Sequence, residues 1–238
     1  MTTAPAAVVE RLRTSTRTWH DALEATPFAG AMIAGTLPIE RYVCQLAAYR
    51  LVLEALEGAL EGASEGRLEG THEGELARVT GSSAAPVWSP DLRKLPFIER
   101  DLAYFAELGT SPGPWAAEEA ETFAAEIRRR ADASDLPALL GFLYVMEGST
   151  LGALVLHPYV SAAYGLPGAD GVAYYTSGDR DRWARLTARM NRALTDPGTQ
   201  DQVVAAAHSA FRHAAAITGA LSVDLSPPSP SPTPTHVR

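Results

Sequence analysis

Apolar side chains recur at spacings of three and four along nearly the whole chain, which is the period of an amphipathic helix. The clearest example is the set Tyr42, Leu46, Tyr49, Leu53, Leu56 and Leu60. No stretch shows sustained alternation of apolar and polar residues, so the pattern predicts an all-α protein. We expect helices at about 6–25, 38–61, 91–108, 116–131, 136–156, 180–194 and 199–221.

Proline and glycine mark the expected breaks. The Gly- and Glu-rich piece over 62–86 predicts a connection with at most one short helix, and 162–178 predicts an irregular link between two helices. The Pro- and Ser-rich end predicts a disordered tail. We therefore expect one helical domain over 1–225, followed by a tail over 226–238.

Composition excludes several classes of function. A formal net charge of -8 argues against nucleic acid as a partner. The start of the chain lacks the apolar region of a signal peptide, because charges begin at Glu10. The most apolar run, 139–156, contains Glu147 near its middle and is interpreted as a buried helix rather than a membrane span. The prediction is a cytoplasmic protein.

The first predicted helix carries a polar stripe. Arg13, Arg17, His20 and Glu24 follow one another at spacings of four, three and four, which places them on one face. Such a stripe suits a flat ligand whose centre meets the imidazole and whose anionic edge meets the guanidinium groups. A solvated helix face with one exposed histidine fits the same spacing.

Glycine interrupts the apolar helix three times. Gly141, Gly148 and Gly152 are separated by seven and four residues and share a face, although each costs about 0.8–1.0 kcal/mol relative to alanine. Their lack of a Cβ allows a flat ligand to approach the backbone, or allows close helix–helix packing. Glu147 and Ser149 beside them are polar groups suited to organising water.

A basic stripe lies on the helix predicted at 180–194. Arg182, Arg185, Arg189 and Arg192 share this stripe in an otherwise acidic chain. Guanidinium groups match carboxylates in a bidentate manner, so the stripe is a candidate anion site. A solvated helix face is the alternative.

Five segments together resemble the heme oxygenase family across almost the whole globular part. They are LRTSTRTWHDALEATPF with Gly35 downstream, YVCQLAAYRLVLEALE, PVWSPDLRKLPFIERDLAYF, LYVMEGSTLGALVL and RLTARMNRALTDPGTQDQVVAAAHSAF. The phrase YVMEGSTLG is similar to the bacterial branch that supplies biliverdin to phytochrome-type photoreceptors. The resemblance implies a single-domain helical bundle with heme between an N-terminal proximal helix and a glycine-rich distal helix.

The resemblance also implies roles for residues on the proximal side. His20 would be the heme-iron ligand, and Glu24 its hydrogen-bonding neighbour. Arg13 and Arg17 stand where the family places basic residues facing the heme propionates. Phe211 matches an aromatic residue that packs near the heme edge.

On the distal side, the resemblance assigns Gly148 and Gly152 to the glycines that let heme lie against the backbone. Two departures concern the water network there. Ser149 stands where the family often has an aspartate that orders a proton-donating water, and Ala153 replaces the second glycine of a pair. Glu147 or Ser149 is expected to take over that task.

The family also carries propionate-binding cations on the basic helix. The matching positions here are Trp183 and Thr187. We expect Arg182, Arg185 or Arg189 to substitute for them.

The activity implied by the resemblance is the breakdown of heme, which is both cofactor and substrate, to biliverdin, carbon monoxide and ferrous iron. The reaction needs O2 and electrons from an external donor such as a ferredoxin or a reductase. The expected partners are thus heme, an electron donor and, through biliverdin, a bacterial phytochrome.

Two other classes of protein fit parts of the sequence. Ser149 and Ala153 favour a heme carrier or sensor that does not degrade heme. A thiaminase-like hydrolase would need Cys44, the single cysteine, as its nucleophile, although its apolar surroundings indicate an inert core residue. A di-iron oxidase would need several histidines and carboxylates at ligand spacing, and only His208 and His213 lie near one another.

Overall fold

The computed structural model describes residues 7–64, 87–166 and 168–226. Within these ranges the chain forms helices and no strands. The helices are α1 (Val8–Glu24), α2 (Pro27–Ile33), α3 (Ile39–Ser64), a 3₁₀ turn (Pro90–Leu92), α4 (Leu95–Glu107), α5 (Ala117–Asp132), α6 (Leu136–Tyr164), α7 (Ala173–Thr176), α8 (Arg180–Ala193) and α9 (Pro197–Ser222).

The predicted all-helical, single-domain architecture is confirmed. All seven expected helices are present, as α1, α3, α4, α5, α6, α8 and α9. The predicted connection lies outside the described residues from 65 to 86, and the predicted tail lies outside them from 227 onward.

Two short helices, α2 and α7, were not predicted from the sequence. In α2, the Thr26 side chain accepts a hydrogen bond from the Ala29 N–H at 3.3 Å, and Pro27 occupies the first turn. In α7, which interrupts the link predicted as irregular, both carboxylate oxygens of the buried Asp101 accept backbone N–H groups. Neither helix is long enough to show a helical period.

Two helix ends also differ from the prediction. The helix α6 continues through Pro158 to Tyr164 and ends at Gly165, whose φ of 61° favours glycine. The helix α4 begins at Leu95 rather than at 91, because the 3₁₀ turn precedes it and Glu57 of α3 caps its start. One Glu57 oxygen accepts the N–H groups of Lys94 and Leu95 at 2.6 and 3.1 Å.

The helix α6 lies at the centre of the bundle and packs on α9, α7, α3, α2 and α5. Among the described residues it is the one helix long and apolar enough to cross a membrane, but 61% of its most apolar window is buried inside the protein. Such burial is typical of the core helix of a globular protein, in agreement with the sequence interpretation.

Close packing explains the first of the three glycines. A Cβ on Gly141 would lie 2.5 Å from the Val203 carbonyl oxygen and 2.7 Å from the Ala206 Cβ, both on α9. Backbone atoms cannot move aside without shifting a helix, so Gly141 is required for the contact between α6 and α9.

Buried ion pairs hold α6 against two further elements. Lys94 Nζ lies 2.5 Å from Glu147 Oε2, and both side chains are 2% exposed. Arg182 of α8 donates from Nε to Glu147 Oε1 at 2.9 Å. Burial lowers the pKa of Lys94, and Glu147 acts in the opposite direction. We call Lys94, Glu147 and Arg182 the ion cluster.

We expect Gly141→Ala to lower the free energy of unfolding by about 1–3 kcal/mol, as overpacking of a core does. Chemical denaturation would measure this. The matched control is Gly58→Ala on α3, where nothing lies within 4 Å of the added Cβ; there we expect a gain of up to about 1 kcal/mol. Equal stability of Gly141→Ala and the unaltered protein would contradict the packing argument.

We expect Glu147→Gln to lower the free energy of unfolding by about 3–5 kcal/mol, because the charge of Lys94 would remain buried without its partner. The control is Glu54→Gln, which breaks the exposed pair with Arg50 at 3.2 Å and should cost no more than about 1 kcal/mol. Similar losses in the two variants would show that burial adds nothing to the ion cluster.

Candidate functional site

The polar stripe of α1 lies on its exposed side. Val8, Leu12 and Thr16 are the buried residues of this helix, whereas Arg13, Arg17, His20 and Glu24 are all exposed. The side of α1 that faces away from the core is therefore the side with donor groups and cations.

His20 and Glu24 meet as predicted. His20 Nδ1 lies 3.3 Å from Glu24 Oε1, and the His20 side chain is 59% exposed. A carboxylate that accepts the Nδ1 proton favours the tautomer in which Nε2 is free to bind a metal. The ligand atoms of His20, Asp21 and Glu24 lie within 4.8 Å of one another, the one such group of three among the described residues. The set expected of a di-iron oxidase is thus absent from the part of the chain that the structure describes.

A hydrogen bond next to His20 ties α1 to α9. Trp19 donates from Nε1 to His208 Nδ1 at 3.1 Å. Phe211 lies three residues beyond His208 and is 7% exposed. Because Trp19 is held in this way, the backbone that carries His20 has a defined position. The sequence analysis had no signal for this bond, because the two side chains are far apart in the chain.

The exposed face of α6 carries Gly152, Val155 and Tyr159. A Cβ on Gly152 would meet nothing within 4 Å, and Val155 and Tyr159 are 64% and 45% exposed. The helix α1 packs mainly on α9, α8 and α2. We call the bare backbone at Gly152 and these apolar neighbours the open face.

Trp183 borders the open face at Gly148. A Cβ on Gly148 would lie 3.3 Å from the Trp183 indole, and the indole packs on Tyr144 with 5.1 Å between ring centroids. An aromatic ring thus stands beside Gly148, at the position where the resemblance implies a cation.

The arginines of α8 differ in how strongly they are engaged. Arg182 is held in the ion cluster and 12% exposed. Arg189 donates to Ser89 Oγ at 2.6 Å. Arg185 is 53% exposed and lies 3.6 Å from Asp91, so it is the most available of the three to an anion. On α1, Arg13 pairs with Glu10 at 2.8 Å on the surface.

The two distal polar candidates are placed differently. The Glu147 carboxylate is buried in the ion cluster, away from the open face. Ser149 is partly exposed and donates its hydroxyl to the Met146 carbonyl at 2.7 Å.

Cys44 has the environment of a core residue. It is 1% exposed, and its Sγ accepts the Gly113 N–H at 3.0 Å. Burial raises the pKa of the thiol, so little nucleophilic thiolate forms at neutral pH. These surroundings do not favour a cysteine-dependent hydrolase.

Together these groups fit a flat, largely apolar ligand with a metal at its centre and anions at its edge. An imidazole with a free Nε2 can coordinate the metal. The open face can contact the apolar plane, and exposed arginines can pair with the anions. The missing Cβ at Gly152 leaves space for a bulky planar group to approach the backbone.

Comparison with known proteins agrees with this chemistry. The heme oxygenase family matches residues 6–218. The fold is similar to heme oxygenase from Leptospira interrogans, with a TM-score of 0.72 and 18% identity over 91% of this chain and 99% of that one. No match was found among curated proteins.

Two cyanobacterial structures are similar to the same degree. Heme oxygenase-1 from Synechocystis sp. PCC6803, in complex with heme, has a TM-score of 0.73 and 17% identity over 92% of this chain and 94% of that one. Heme oxygenase-2 from Synechocystis sp. PCC 6803, in complex with heme and NO, has a TM-score of 0.72 and 18% identity over 91% and 85%. With a family match across nearly its whole helical domain, this chain belongs to the heme oxygenase family.

Proposed function

We propose that this protein binds heme between α1 and the open face of α6 and degrades it to biliverdin, carbon monoxide and ferrous iron. The observation that carries the proposal is the presence in one chain of an exposed His20 beside Glu24 and of an open helix backbone at Gly152. Heme would supply the iron that binds O2, and an external donor such as a ferredoxin or a reductase would supply electrons.

The residues of α1 hold the proximal side of the ligand. His20 binds the iron through Nε2, and Glu24 keeps the imidazole in the required tautomer. Arg13 and Arg17 are exposed on the same stripe as His20 and face the propionates. Arg185 is the α8 residue best placed to join them, because Arg182 and Arg189 already have partners.

The residues of α6 hold the distal side. Gly148 and Gly152 let the porphyrin plane approach the backbone, and Val155 and Tyr159 shield it from water. Phe211 supports the edge from α9. Close contact with the backbone at Gly148 and Gly152 would hold the porphyrin in one orientation and so would favour reaction at one carbon of its ring.

The biological setting proposed is cytoplasmic supply of biliverdin to a bacterial phytochrome. The segment YVMEGSTLG supports this branch of the family. A heme carrier or sensor is the second candidate, and Ser149 favours it, because a hydroxyl bonded to the Met146 carbonyl replaces an acidic group.

We expect the purified protein to develop a Soret band when hemin is added, and to lose it to a biliverdin absorption when reductant is added in air. A stable Soret band under these conditions would identify a carrier instead. Absence of any spectral change with hemin would contradict the whole proposal.

The iron ligand is tested by substitution. His20→Ala should abolish the histidine-bound spectrum, whereas the control His157→Ala should retain it. His157 lies nine residues beyond Gly148, which places it on the opposite side of α6. An unchanged spectrum in His20→Ala would rule out His20 as the ligand.

Gly152→Ala separates the two roles of a helix glycine. Without heme, we expect the free energy of unfolding to rise by up to about 1 kcal/mol, because alanine favours the helix and open space surrounds the new Cβ. With hemin, we expect affinity to fall roughly tenfold, about 1.4 kcal/mol, because the methyl group occupies the ligand's place. Denaturation and a hemin titration measure the two effects. An unchanged hemin affinity would place the porphyrin elsewhere.

A further inference from the structure

A buried hydroxyl without a partner lies beside α6. Tyr174 of α7 is 2% exposed, and among the described residues its Oη has no hydrogen-bond partner. Leaving such a group unsatisfied costs about 1–3 kcal/mol. Buried polar groups in native proteins nearly always have a partner, so a bound water is one explanation for this hydroxyl.

The position of this hydroxyl is fixed by its surroundings. Asp101 Oδ1 accepts the Ala173 N–H at 2.7 Å and its Oδ2 accepts the Tyr174 N–H at 2.8 Å, so α7 is anchored where Tyr174 begins. The Tyr174 ring also packs edge-on against Tyr49, with 6.0 Å between centroids. The hydroxyl therefore cannot turn outward to the bulk solvent.

Ser149 is the polar neighbour that complements it. Ser149 follows Gly148 on α6 and uses its own proton in a bond to the Met146 carbonyl. Its oxygen can then only accept. The Ser149 hydroxyl lowers the pKa of Tyr174, although no direct hydrogen bond of normal geometry joins them. The Tyr174 hydroxyl, which has no acceptor among the described residues, thus lies near an oxygen that can accept a hydrogen bond.

The other polar groups nearby are already occupied. Both oxygens of Glu147 are bound in the ion cluster. Tyr175 donates to Gln45 Oε1 at 2.6 Å, and Tyr42 donates to the Gly171 carbonyl at 2.8 Å. Tyr174 is the residue of this group with a free proton to give.

We propose that Tyr174 and Ser149 together hold a water at the distal side of the heme slot, with Tyr174 as its donor. This inference rests on the proposed function. It assigns to a tyrosine and a serine the task that the resemblance gives to an aspartate at position 149. Tyr174 is a positioning residue, because it acts on the reacting centre through the water.

The charge state of Tyr174 suits this role. Burial raises its pKa, and the nearby titratable groups Tyr49, Glu147 and Glu57 raise it further. The phenol thus stays protonated at physiological pH and acts as a neutral donor.

The test compares ferric, hemin-loaded variants by the midpoint of the pH-dependent change in their visible spectra, which reports ionisation of the water next to the iron. A donor near that water stabilises its deprotonated form. We expect Tyr174→Phe to raise the midpoint by roughly half to one unit, given about 1.36 kcal/mol per unit. Ser149→Ala removes an acceptor, which favours the protonated water, so it should shift the midpoint in the opposite direction, downward.

The control is Tyr175→Phe, which removes a neighbouring buried hydroxyl that already has a partner and should leave the midpoint unchanged. An unchanged midpoint in Tyr174→Phe, or an equal shift in Tyr175→Phe, overturns the inference while leaving the proposed function intact. Failure of the unaltered protein to bind hemin overturns both.

Discussion

Glu147 lies between two cations in the interior, one carried by the start of α4 and one by α8. The Glu147 carboxylate and the Lys94 ammonium group are each 2% exposed. Removal of either group would therefore leave the other charge buried without a partner. Gly148 follows Glu147 on α6, at the border of the open face. The ion cluster therefore fixes the position of α6 along its axis, and its rotation about that axis, next to the open face. The same Arg182 that completes the cluster precedes Trp183, and the indole beside Gly148 is thereby placed as well. The geometry of α6 beside Gly148 depends on these buried charges.

Much of this arrangement could be predicted from the local spacing of residues, whereas the rest depends on contacts between distant parts of the chain. Spacings of three and four predicted the seven long helices and brought His20 and Glu24 together on one face. The two short helices depend on caps, and the one that carries Tyr174 is capped by Asp101 of another helix. The partners of Arg182 belong to other elements too, so a stripe predicted to meet an anionic ligand proved to include one arginine bound within the protein.

The glycines of α6 show the limit of spacing as evidence. The same helical spacing places all three glycines on one face, but their neighbours differ. Gly141 lies against the backbone of α9, Gly148 against the Trp183 indole, and Gly152 against open space. The spacing of residues predicts which face of a helix they occupy. It does not predict which neighbouring element packs against that face. The packing interpretation is thus confirmed for Gly141, whereas Gly152 borders open space and its contact with a ligand stays a prediction.

Pro158 interrupts the backbone hydrogen bonds of α6, although the helix continues past it. Proline has no N–H, so the carbonyl of Leu154 lacks its usual partner one turn earlier, and the ladder of hydrogen bonds is broken between Gly152 and the end of the helix. The inner segment is held by α9 and by the buried charges, whereas the outer segment carries the exposed Val155 and Tyr159 beyond this break. The missing hydrogen bond thus falls between the part of α6 that is packed on both sides and the part whose apolar side chains face outward.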